Sequence, residues 1–266
     1  MKILFVGDVV GLPGRRVLRS GLAALQGTLR PDLVVANGEN SAGGNGITPS
    51  TAEEMFRAGC DVVTTGNHVW DRKEIVPYLE RHERLLRPAN YPDGAPGRGT
   101  ALVTARDGTT VLVVNLMGRV YMPAVNDPFR AADALLAEHA GRATVSIVDF
   151  HAEATSEKVA FSWYVDGRAS AVLGTHTHVP TADERVLPGG AACITDVGMT
   201  GPHDSVIGVE KSAVLERFLT QRPTRFSPAR DDARLQAVLI DVSAEDGRAL
   251  AIRRVEFREG DRDEER

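Results

Sequence analysis

The sequence predicts an α/β fold, in one domain, with a two-sheet core and helices outside. Two observations carry this prediction. In the first half of the chain, short apolar runs typical of strands buried on both faces alternate with segments of helical periodicity. In the second half, further strand-like runs are separated by a hairpin signal and by helices. Strands that alternate with helices form parallel sheets with right-handed crossovers, which places their carboxyl ends along one edge.

The first half contains three strand–helix repeats. The strands are predicted at residues 2–7, 33–36 and 61–64. The first helix follows the first strand, and the second and third begin near Pro49 and Asp71. Two pairs of residues have the spacing of a capping box, in which two side chains satisfy backbone N–H groups at a helix start: Ser50 with Glu53, and Asp71 with Glu74.

The second half begins with two strands joined at Arg106-Asp-Gly108, a sequence that favours a hairpin. The strands are predicted at 99–105, 111–116, 145–148, 171–173, 191–194, 235–242 and 249–257. Helices are predicted at 127–139, after residue 148, and at 209–219. The domain is expected to span 1–257. Residues 258–266 are almost entirely charged plus glycine, so we expect a flexible tail there.

Composition and charge limit the function classes. The chain of 266 residues has 31 Lys and Arg against 36 Asp and Glu, and its net charge of −5 argues against an extended nucleic-acid partner. No apolar run reaches the roughly 18–20 residues of a membrane span, and the run after Lys2 is too short for a signal peptide. Cys60 and Cys193 are expected in the core without a C-x-x-C pair, which favours a reducing, cytoplasmic setting.

Polar side chains follow the predicted strands at the point where each strand ends. They are Asp8, Glu39, Asn40, Asn67, His68, His151, His176 and His178. Because ligands bind at the carboxyl ends of parallel strands, we expect these side chains to converge if the strands are neighbours. Each has an ordinary alternative when taken alone: Asp8 could cap a helix, and His151 could be a structural histidine. His176 and His178 lie two residues apart, which puts both on the same side of an extended segment.

These donors predict a metal centre. Carboxylate, amide and imidazole groups without cysteine favour Fe or Mn, with Zn or Co as alternatives. The seven candidates other than His68 are too many for one ion and suit two, and the Glu39 carboxylate could bridge them. Two ions about 3.5–4 Å apart stabilise the attacking and leaving oxygens of a displacement at phosphorus, with a hydroxide between them as nucleophile. His68 follows Asn67 but points elsewhere, so we expect it to protonate the leaving group.

The order of these motifs resembles the calcineurin-like metallophosphoesterases, and within them the YmdB-like bacterial branch. The segments that carry the resemblance are 7–11, 37–40, 66–71, 149–153, 174–178 and 195–201. The resemblance implies a four-layer α/β/β/α sandwich and a di-iron or di-manganese centre. It also implies phosphodiesterase activity, and the branch is associated with 2′,3′-cyclic nucleotides.

The resemblance also assigns roles by position. One metal would be held by Asp8, Glu39, Asn40 and His178, and the other by Glu39, Asn67, His151 and His176. His68 would be the general acid. The chain departs from the broad superfamily at two positions: Val10 replaces the usual histidine of the first motif, and Glu39 replaces the usual bridging aspartate. Asn40 would then supply a neutral oxygen where the imidazole is missing.

Three functions are compatible with this set of donors. The first is a two-metal phosphodiesterase acting on a small-molecule substrate. The second is a phosphomonoesterase or nuclease at the same site, although a nuclease would need a basic groove. The third is a non-catalytic, metal-bound nucleotide sensor or regulator. The sequence assigns no substrate contacts and leaves association into an oligomer open; candidate contacts are Asn45, Arg119, Tyr121 and Glu153.

Overall fold

The computed structural model describes residues 1–259, which form two β-sheets and six helices. The strands are β1 (Lys2–Val6), β2 (Asp8–Val9), β3 (Leu33–Asn37), β4 (Val62–Thr64), β5 (Thr100–Thr104), β6 (Thr110–Met117), β7 (Val145–His151), β8 (Ala171–Thr175), β9 (Arg185–Val186), β10 (Ala192–Ile194), β11 (Met199–Pro202), β12 (Ala233–Val242) and β13 (Ala249–Arg258). The helices are α1 (Gly11–Leu29), α2 (Pro49–Ala58), α3 (Val76–Arg81), α4 (Pro128–Glu138), α5 (Thr155–Val165) and α6 (Lys211–Thr220). The α/β fold is therefore as predicted.

The first sheet has the strand order β2-β11-β12-β1-β3-β4, with β13 also paired to β12. Strands β1, β3 and β4 are parallel, as the alternation of strands and helices predicts. Strand β12 enters from the far end of the sequence and runs antiparallel to both β1 and β13. The three parallel strands therefore end at the same edge, where their polar residues follow.

The second sheet has the order β5-β6-β7-β8-β10-β9. Strands β6, β7, β8 and β10 are parallel, while β5 pairs antiparallel with β6 in the predicted hairpin. The strands that carry the candidate ligands are thus divided between two sheets, whereas the sequence did not specify which strands are neighbours. Their carboxyl ends meet where the two sheets face one another.

Strand β1 shows why the chain forms layers. Its side chains alternate, so that Leu4 and Val6 pack with residues of α1 and α2 while Ile3 and Phe5 face the second sheet. A second buried cluster lies between the sheets and includes β6 and β7 residues. A third covers the other face of the second sheet, where Phe161 of α5 packs. The buried clusters hold the two sheets face to face and set the position of the strand ends.

Both capping boxes predicted from the sequence are wrong. The box at the start of α2 is formed by Thr48 and Thr51 rather than by Ser50 and Glu53, because the helix starts at Pro49 and Thr48 is its N-cap. The segment after Asp71 forms a 3-10 turn at Lys73–Ile75, and the Asp71 carboxylate contacts a histidine instead.

Two further observations concern the C-terminal residues and membrane spans. Arg258 is the last residue of β13, and residues 260–266 of the predicted tail lie outside the described residues. Over the range that is described, no helix combines the length and the apolar character needed to cross a membrane.

Candidate metal centre

The predicted site residues converge at the carboxyl ends of strands from both sheets. Asp8 begins β2, Glu39 and Asn40 follow β3, and Asn67 follows β4. His151 ends β7, and the segment 176–178 follows β8. Asp8, Glu39, Asn40 and His151 are buried, so the site lies beneath the surface and opens outward past the other histidines. The structure therefore brings together side chains that are separated by up to 170 positions in the chain.

His151 stands at the centre of the cluster. Its Nε2 lies 3.0 Å from Glu39 Oε1 and 3.0 Å from Asn67 Oδ1. The same Nε2 is 3.1 Å from His176 Nδ1. An imidazole nitrogen carries at most one hydrogen, yet two oxygens and a nitrogen converge on it. Glu39, His151 and His176 each offer an atom within 4.8 Å of the others, which is the spacing of a metal-ligand group.

A buried network fixes the orientation of the His151 ring. Asp149 Oδ1 accepts a 2.7 Å hydrogen bond from the Thr175 hydroxyl, and Asp149 Oδ2 accepts bonds from Asn37 and Thr64. The Thr175 oxygen, having given its hydrogen to Asp149, accepts from His151 Nδ1 at 2.8 Å. Nδ1 is therefore the donor, so in the neutral ring Nε2 presents a lone pair to the cluster.

Asp8, Asn40 and His178 form the second part of the cluster. Asp8 Oδ1 lies 3.9 Å from His151 Nδ1 and 4.0 Å from His178 Nε2. Among residues 1–259 this buried oxygen has no hydrogen-bond partner. The Asn40 amide presents its Nδ2 to Glu39 Oε1 at 3.2 Å and to His178 Nε2 at 3.1 Å. Rotation of that amide by half a turn would present its oxygen instead, since the two orientations have the same shape.

The segment that carries His176 and His178 is not extended, in contrast to the prediction. Both residues adopt left-handed backbone angles, with φ of 98° and 66°. Non-glycine residues pay about 1–2 kcal/mol for such a conformation, so the surrounding contacts must hold it. The His176 N–H donates to Asp8 Oδ2 at 3.2 Å, and His178 Nδ1 contacts the Ile207 carbonyl oxygen at 2.9 Å. The His176 and His178 rings consequently lie in different parts of the cluster, beside His151 and Asn40 respectively.

His68 is linked to the cluster through its backbone and not through its ring. Its N–H donates to Glu39 Oε2 at 3.2 Å, while its Nδ1 lies 2.9 Å from Asp71 Oδ2. The ring lines a cavity of about 520 Å³ that opens onto the cluster. With Nδ1 engaged by Asp71, Nε2 is the ring nitrogen left for a ligand. The sequence predicted His68 but missed Asp71, because its spacing from Glu74 resembled a helix cap.

Glycine at position 66 leaves the space that this arrangement needs. A Cβ atom added there would collide with the His151 ring and with Glu39 Oε2. The loop after β4 therefore passes directly over His151 and Glu39, the two central residues of the cluster. A glycine after this strand was visible in the sequence, but its close approach depends on β7, which lies in the other sheet.

The cavity identifies which candidate substrate contacts are near the site. Asn45 and Glu153 line it, and Glu153 Oε2 lies 3.1 Å from His176 Nε2. Arg119 pairs instead with Asp127, and Tyr121 is 90% exposed and does not line the cavity. Cavity-lining groups that the sequence did not indicate are Arg72, Arg225 and Phe226. No sequence signal distinguishes these three from surface residues.

Burial and neighbouring charges shift the pKa values of four residues in the cluster. Burial raises the pKa of the Asp8 carboxyl to about 6, although His178 and His151 oppose the shift. Burial alone would lower the pKa of His151, but the adjacent Glu39 carboxylate outweighs it and raises that pKa to about 9. His176 has its pKa lowered to about 3 by burial and by His151. For Glu39, burial raises the pKa but His151 prevails and holds it well below its usual value.

This donor set fits a bound cation. Several polar atoms converge on His151 Nε2, which can carry only one hydrogen, and Asp8 Oδ1 is buried nearby without a hydrogen-bond donor among the described residues. Buried polar atoms in native structures nearly always have a partner, so the surroundings of this carboxylate oxygen suit a bound cation. Carboxylate and amide oxygens with neutral imidazoles are the ligands of first-row metals such as Fe and Mn.

Comparison with known proteins assigns the family. Residues 4–255 match the model of the family described as YmdB-like protein. The chain belongs to the YmdB-like family. A relative in this family, a 2′,3′-cyclic-nucleotide 2′-phosphodiesterase of Bacillus subtilis, is 48% identical over 96% of this chain and 96% of its own. The match confirms the resemblance drawn from the motifs.

Solved structures that are similar to this chain include the following two. A hypothetical protein from Thermus thermophilus has 47% identity and a TM-score of 0.91, covering 97% of this chain and 99% of that chain. A protein from Mycoplasma pneumoniae described as a novel phosphatase has 33% identity and a TM-score of 0.91, covering 97% of this chain and 93% of that chain. In both cases the similarity covers 97% of the YmdB-like chain.

Proposed function

We propose that this protein is a two-metal phosphodiesterase that hydrolyses small phosphodiesters, with 2′,3′-cyclic nucleotides as its substrates. The observation that carries the proposal is the convergence of lone pairs on His151 Nε2 beside an unpartnered Asp8 Oδ1. A cavity of about 520 Å³ opens onto this cluster, and that volume lies in the range of small-molecule sites. As a member of its family, the chain is a phosphoric ester hydrolase.

The proposed ligands fall into two sets that share Glu39. One ion would be held by Asp8, Glu39, Asn40 and His178, and the other by Glu39, Asn67, His151 and His176. When bound, such a pair of ions activates water for attack on phosphorus and stabilises the charge that develops there. The donor types favour Fe or Mn, with Zn or Co as alternatives. The contacts of Glu39 Oε1 with His151 and with Asn40, one residue from each set, support the bridging role that we propose for this carboxylate.

His68 acts as the general acid in this proposal. Its Nδ1 is held by Asp71 at 2.9 Å, so in the imidazolium form the transferable proton is on Nε2. The ring lines the cavity at its junction with the cluster, while its backbone N–H fixes the loop on Glu39. A leaving alkoxide needs a proton, and His68 supplies it without taking part in holding an ion.

The name of the Bacillus subtilis relative indicates the specific substrate that we propose for this chain. Its name assigns it the 2′ ester bond of a 2′,3′-cyclic nucleotide. For this chain we propose the same hydrolysis: water adds to phosphorus and loses one proton to solvent, the bond from phosphorus to O2′ breaks, and O2′ takes a proton from His68. His68 then regains a proton from solvent. The product is a nucleoside 3′-phosphate. A cyclic phosphodiester carries one negative charge, which suits a compact site that holds two cations.

Phosphorus NMR of the product tests the proposal. The protein loaded with Mn²⁺ or Fe²⁺ is incubated with 2′,3′-cyclic AMP, and we expect a single 3′-phosphomonoester resonance to replace the cyclic one. Release of inorganic phosphate from nucleoside monophosphates, with no opening of the cyclic diester, would instead indicate a phosphomonoesterase. Metal binding without turnover of any phosphodiester would favour the sensor and contradict the enzyme.

Three properties of the whole chain, namely its layered architecture, its cellular setting and its class of substrate, complete the proposal. The order of buried clusters, with helices against the outer face of each sheet, supports a four-layer α/β/β/α sandwich over residues 1–257. The buried free thiols of Cys60 and Cys193 support a reducing, cytoplasmic setting. The net charge of −5 supports a small substrate over an extended nucleic acid.

A further inference from the structure

The backbone between the two histidines of segment 176–178 is held by a buried ion pair. Thr177 lies between His176 and His178, both of which have left-handed backbone angles. Asp196 Oδ2 accepts a hydrogen bond from the Thr177 N–H at 3.1 Å and another from the Thr177 hydroxyl at 2.7 Å. One carboxylate oxygen therefore holds the central residue of the segment by both its backbone and its side chain.

The Asp196 carboxylate is itself fixed from two sides. Lys158 Nζ donates to Asp196 Oδ2 at 2.9 Å, and the Gly198 N–H donates to Asp196 Oδ1 at 2.8 Å. Asp196 is 0% exposed and Lys158 is 2% exposed. Lysine is almost never this buried unless its charge is paired, and here the pair lies directly behind the candidate ligands. Lys158 comes from α5 and Asp196 follows β10, so the contact joins two elements that carry no ligand.

We infer that Lys158 and Asp196 are positioning residues that act through Thr177 to set the placement of His176 and His178 together. This inference rests on the proposed function, in which the two histidines belong to different ions. A ligand substitution would affect one ion, whereas loosening Thr177 would displace both histidines. The segment 195–201 was among those that suggested the family. The contacts of Asp196 with Lys158 and Thr177, which we call the clamp, give Asp196 a physical role that the sequence did not assign.

The charges explain why the clamp contains a lysine. Lys158 offsets the charge of Asp196 at 2.9 Å, so Asp196 can accept from Thr177 as a carboxylate without adding a net charge behind the centre. Removing Lys158 alone would leave a buried, unpaired carboxylate, which is why single and double substitutions are expected to differ.

A calorimetric titration with Mn²⁺ tests the clamp without using substrate. Thr177→Val removes the hydroxyl but keeps its shape, and we expect affinity to fall roughly tenfold or more at both sites. Thr177→Ser keeps the hydroxyl and should restore wild-type affinity. Ser162→Ala is the matched control, because Ser162 lies on α5 and its hydroxyl contacts the Lys158 carbonyl without reaching Asp196. That control should bind Mn²⁺ like the wild type.

A second pair of variants addresses the charge. Lys158→Met should weaken Mn²⁺ binding at both sites, and adding Asp196→Asn to it should recover part of the apo melting temperature but not the affinity. Wild-type affinity in both Thr177→Val and Lys158→Met, or a loss confined to one site, would overturn the clamp. Absence of Mn²⁺ binding in the wild type would also overturn it. Two bound ions without phosphodiester turnover would refute the proposed function alone.

Discussion

His68 is distinguished from the other histidines of the cluster by how its ring is held. Its Nδ1 contacts Asp71 and the ring lines the cavity, whereas the rings of His151 and His176 contact one another. We expect His68→Ala to lower kcat for 2′,3′-cyclic AMP by about 10²–10⁴-fold, because the leaving alkoxide loses its proton donor. The loss should be smaller for bis(p-nitrophenyl) phosphate, whose leaving group departs without a proton.

Kinetics on both substrates, together with metal analysis, check this expectation. Metal content should be unchanged in His68→Ala, since the backbone N–H that reaches Glu39 is retained. His82→Ala provides a matched control, because His82 stacks on Phe56 and Tyr78 and does not line the cavity at the cluster. Equal losses on the two substrates would argue against general-acid catalysis, as would a loss of metal.

Proton release on metal binding follows from the state of His151. Its pKa is raised to about 9 in the metal-free protein, so at pH 7 the ring is protonated and must lose that proton before Nε2 can hold an ion. Asp8, whose pKa is raised to about 6, is mostly ionised at that pH. We therefore expect release of about one proton per protein at pH 7, and Mn²⁺ affinity that increases as pH rises towards 9.

Calorimetry in two buffers of different ionisation enthalpy measures the released proton. NMR titration of Glu39→Gln without added metal tests the cause: removing the carboxylate that raises the pKa of His151 should lower that pKa, so that the ring is neutral at pH 7. An affinity that is independent of pH between 6.5 and 9 would mean that His151 is already neutral in the metal-free protein, contrary to this prediction.

For single residues, the sequence predicts which side chains join the cluster better than it predicts their hydrogen-bond partners. The donors that cluster around His151 were all predicted, because a polar residue directly after a buried strand is conspicuous in one sequence. The hydrogen-bond partners were not: the role of Asp71 was mistaken for helix capping, and the Asp149–Thr175 network had no signal. Such partners are set by residues far apart in the chain, which local patterns do not encode.

Among the elements, the loop after β4 has little free space where it passes the cluster. Gly66 passes over His151 and Glu39 so closely that an added Cβ would collide with both. Gly66→Ala should therefore displace the loop that carries Asn67 and abolish or strongly weaken Mn²⁺ binding. Gly27→Ala on α1 is the control, since nothing lies within 4 Å of the added atom and helix propensity should stabilise the fold by about 0.5–1 kcal/mol.

Metal titration and thermal melting separate these effects. Gly66→Ala should lose affinity with a small change in the melting temperature of the metal-free protein, while Gly27→Ala should bind normally and melt slightly higher. If Gly66→Ala bound Mn²⁺ like the wild type, the loop would have room to move and the close approach would not be needed for the site.

Elements were predictable where the periodicity is local, and their pairing was not. The parallel repeat β1–β3–β4 and the hairpin of β5 and β6 follow from patterns within short windows. The insertion of β12 beside β1 and the division of the ligand-bearing strands between two sheets depend on contacts over long sequence separations. The left-handed turn at 176–178 was also missed, because two alternating histidines after a strand look extended.

For the whole molecule, we expect the candidate metal centre and the apolar core to contribute separately to stability. The three buried apolar clusters do not include the ligands, and a chain of this size buries most of its surface without a metal. Chelation should therefore leave the far-ultraviolet circular dichroism unchanged. Adding Mn²⁺ at about 100 times its Kd should stabilise by about 2.7 kcal/mol per site and raise the melting temperature by roughly 5–10 °C.

Asp8→Asn tests which part of this stability belongs to the ions. The variant should bind less metal and show a smaller rise with Mn²⁺, because the amide replaces a charged ligand without changing its volume. In the metal-free state at pH 8 it should melt no lower than the wild type: burial raises the pKa of Asp8 above its unfolded value, so ionisation there costs folding free energy as pH rises. Loss of circular dichroism on chelation, or an Asp8→Asn protein that melts well below the metal-free wild type, would instead make the centre part of what holds the fold together.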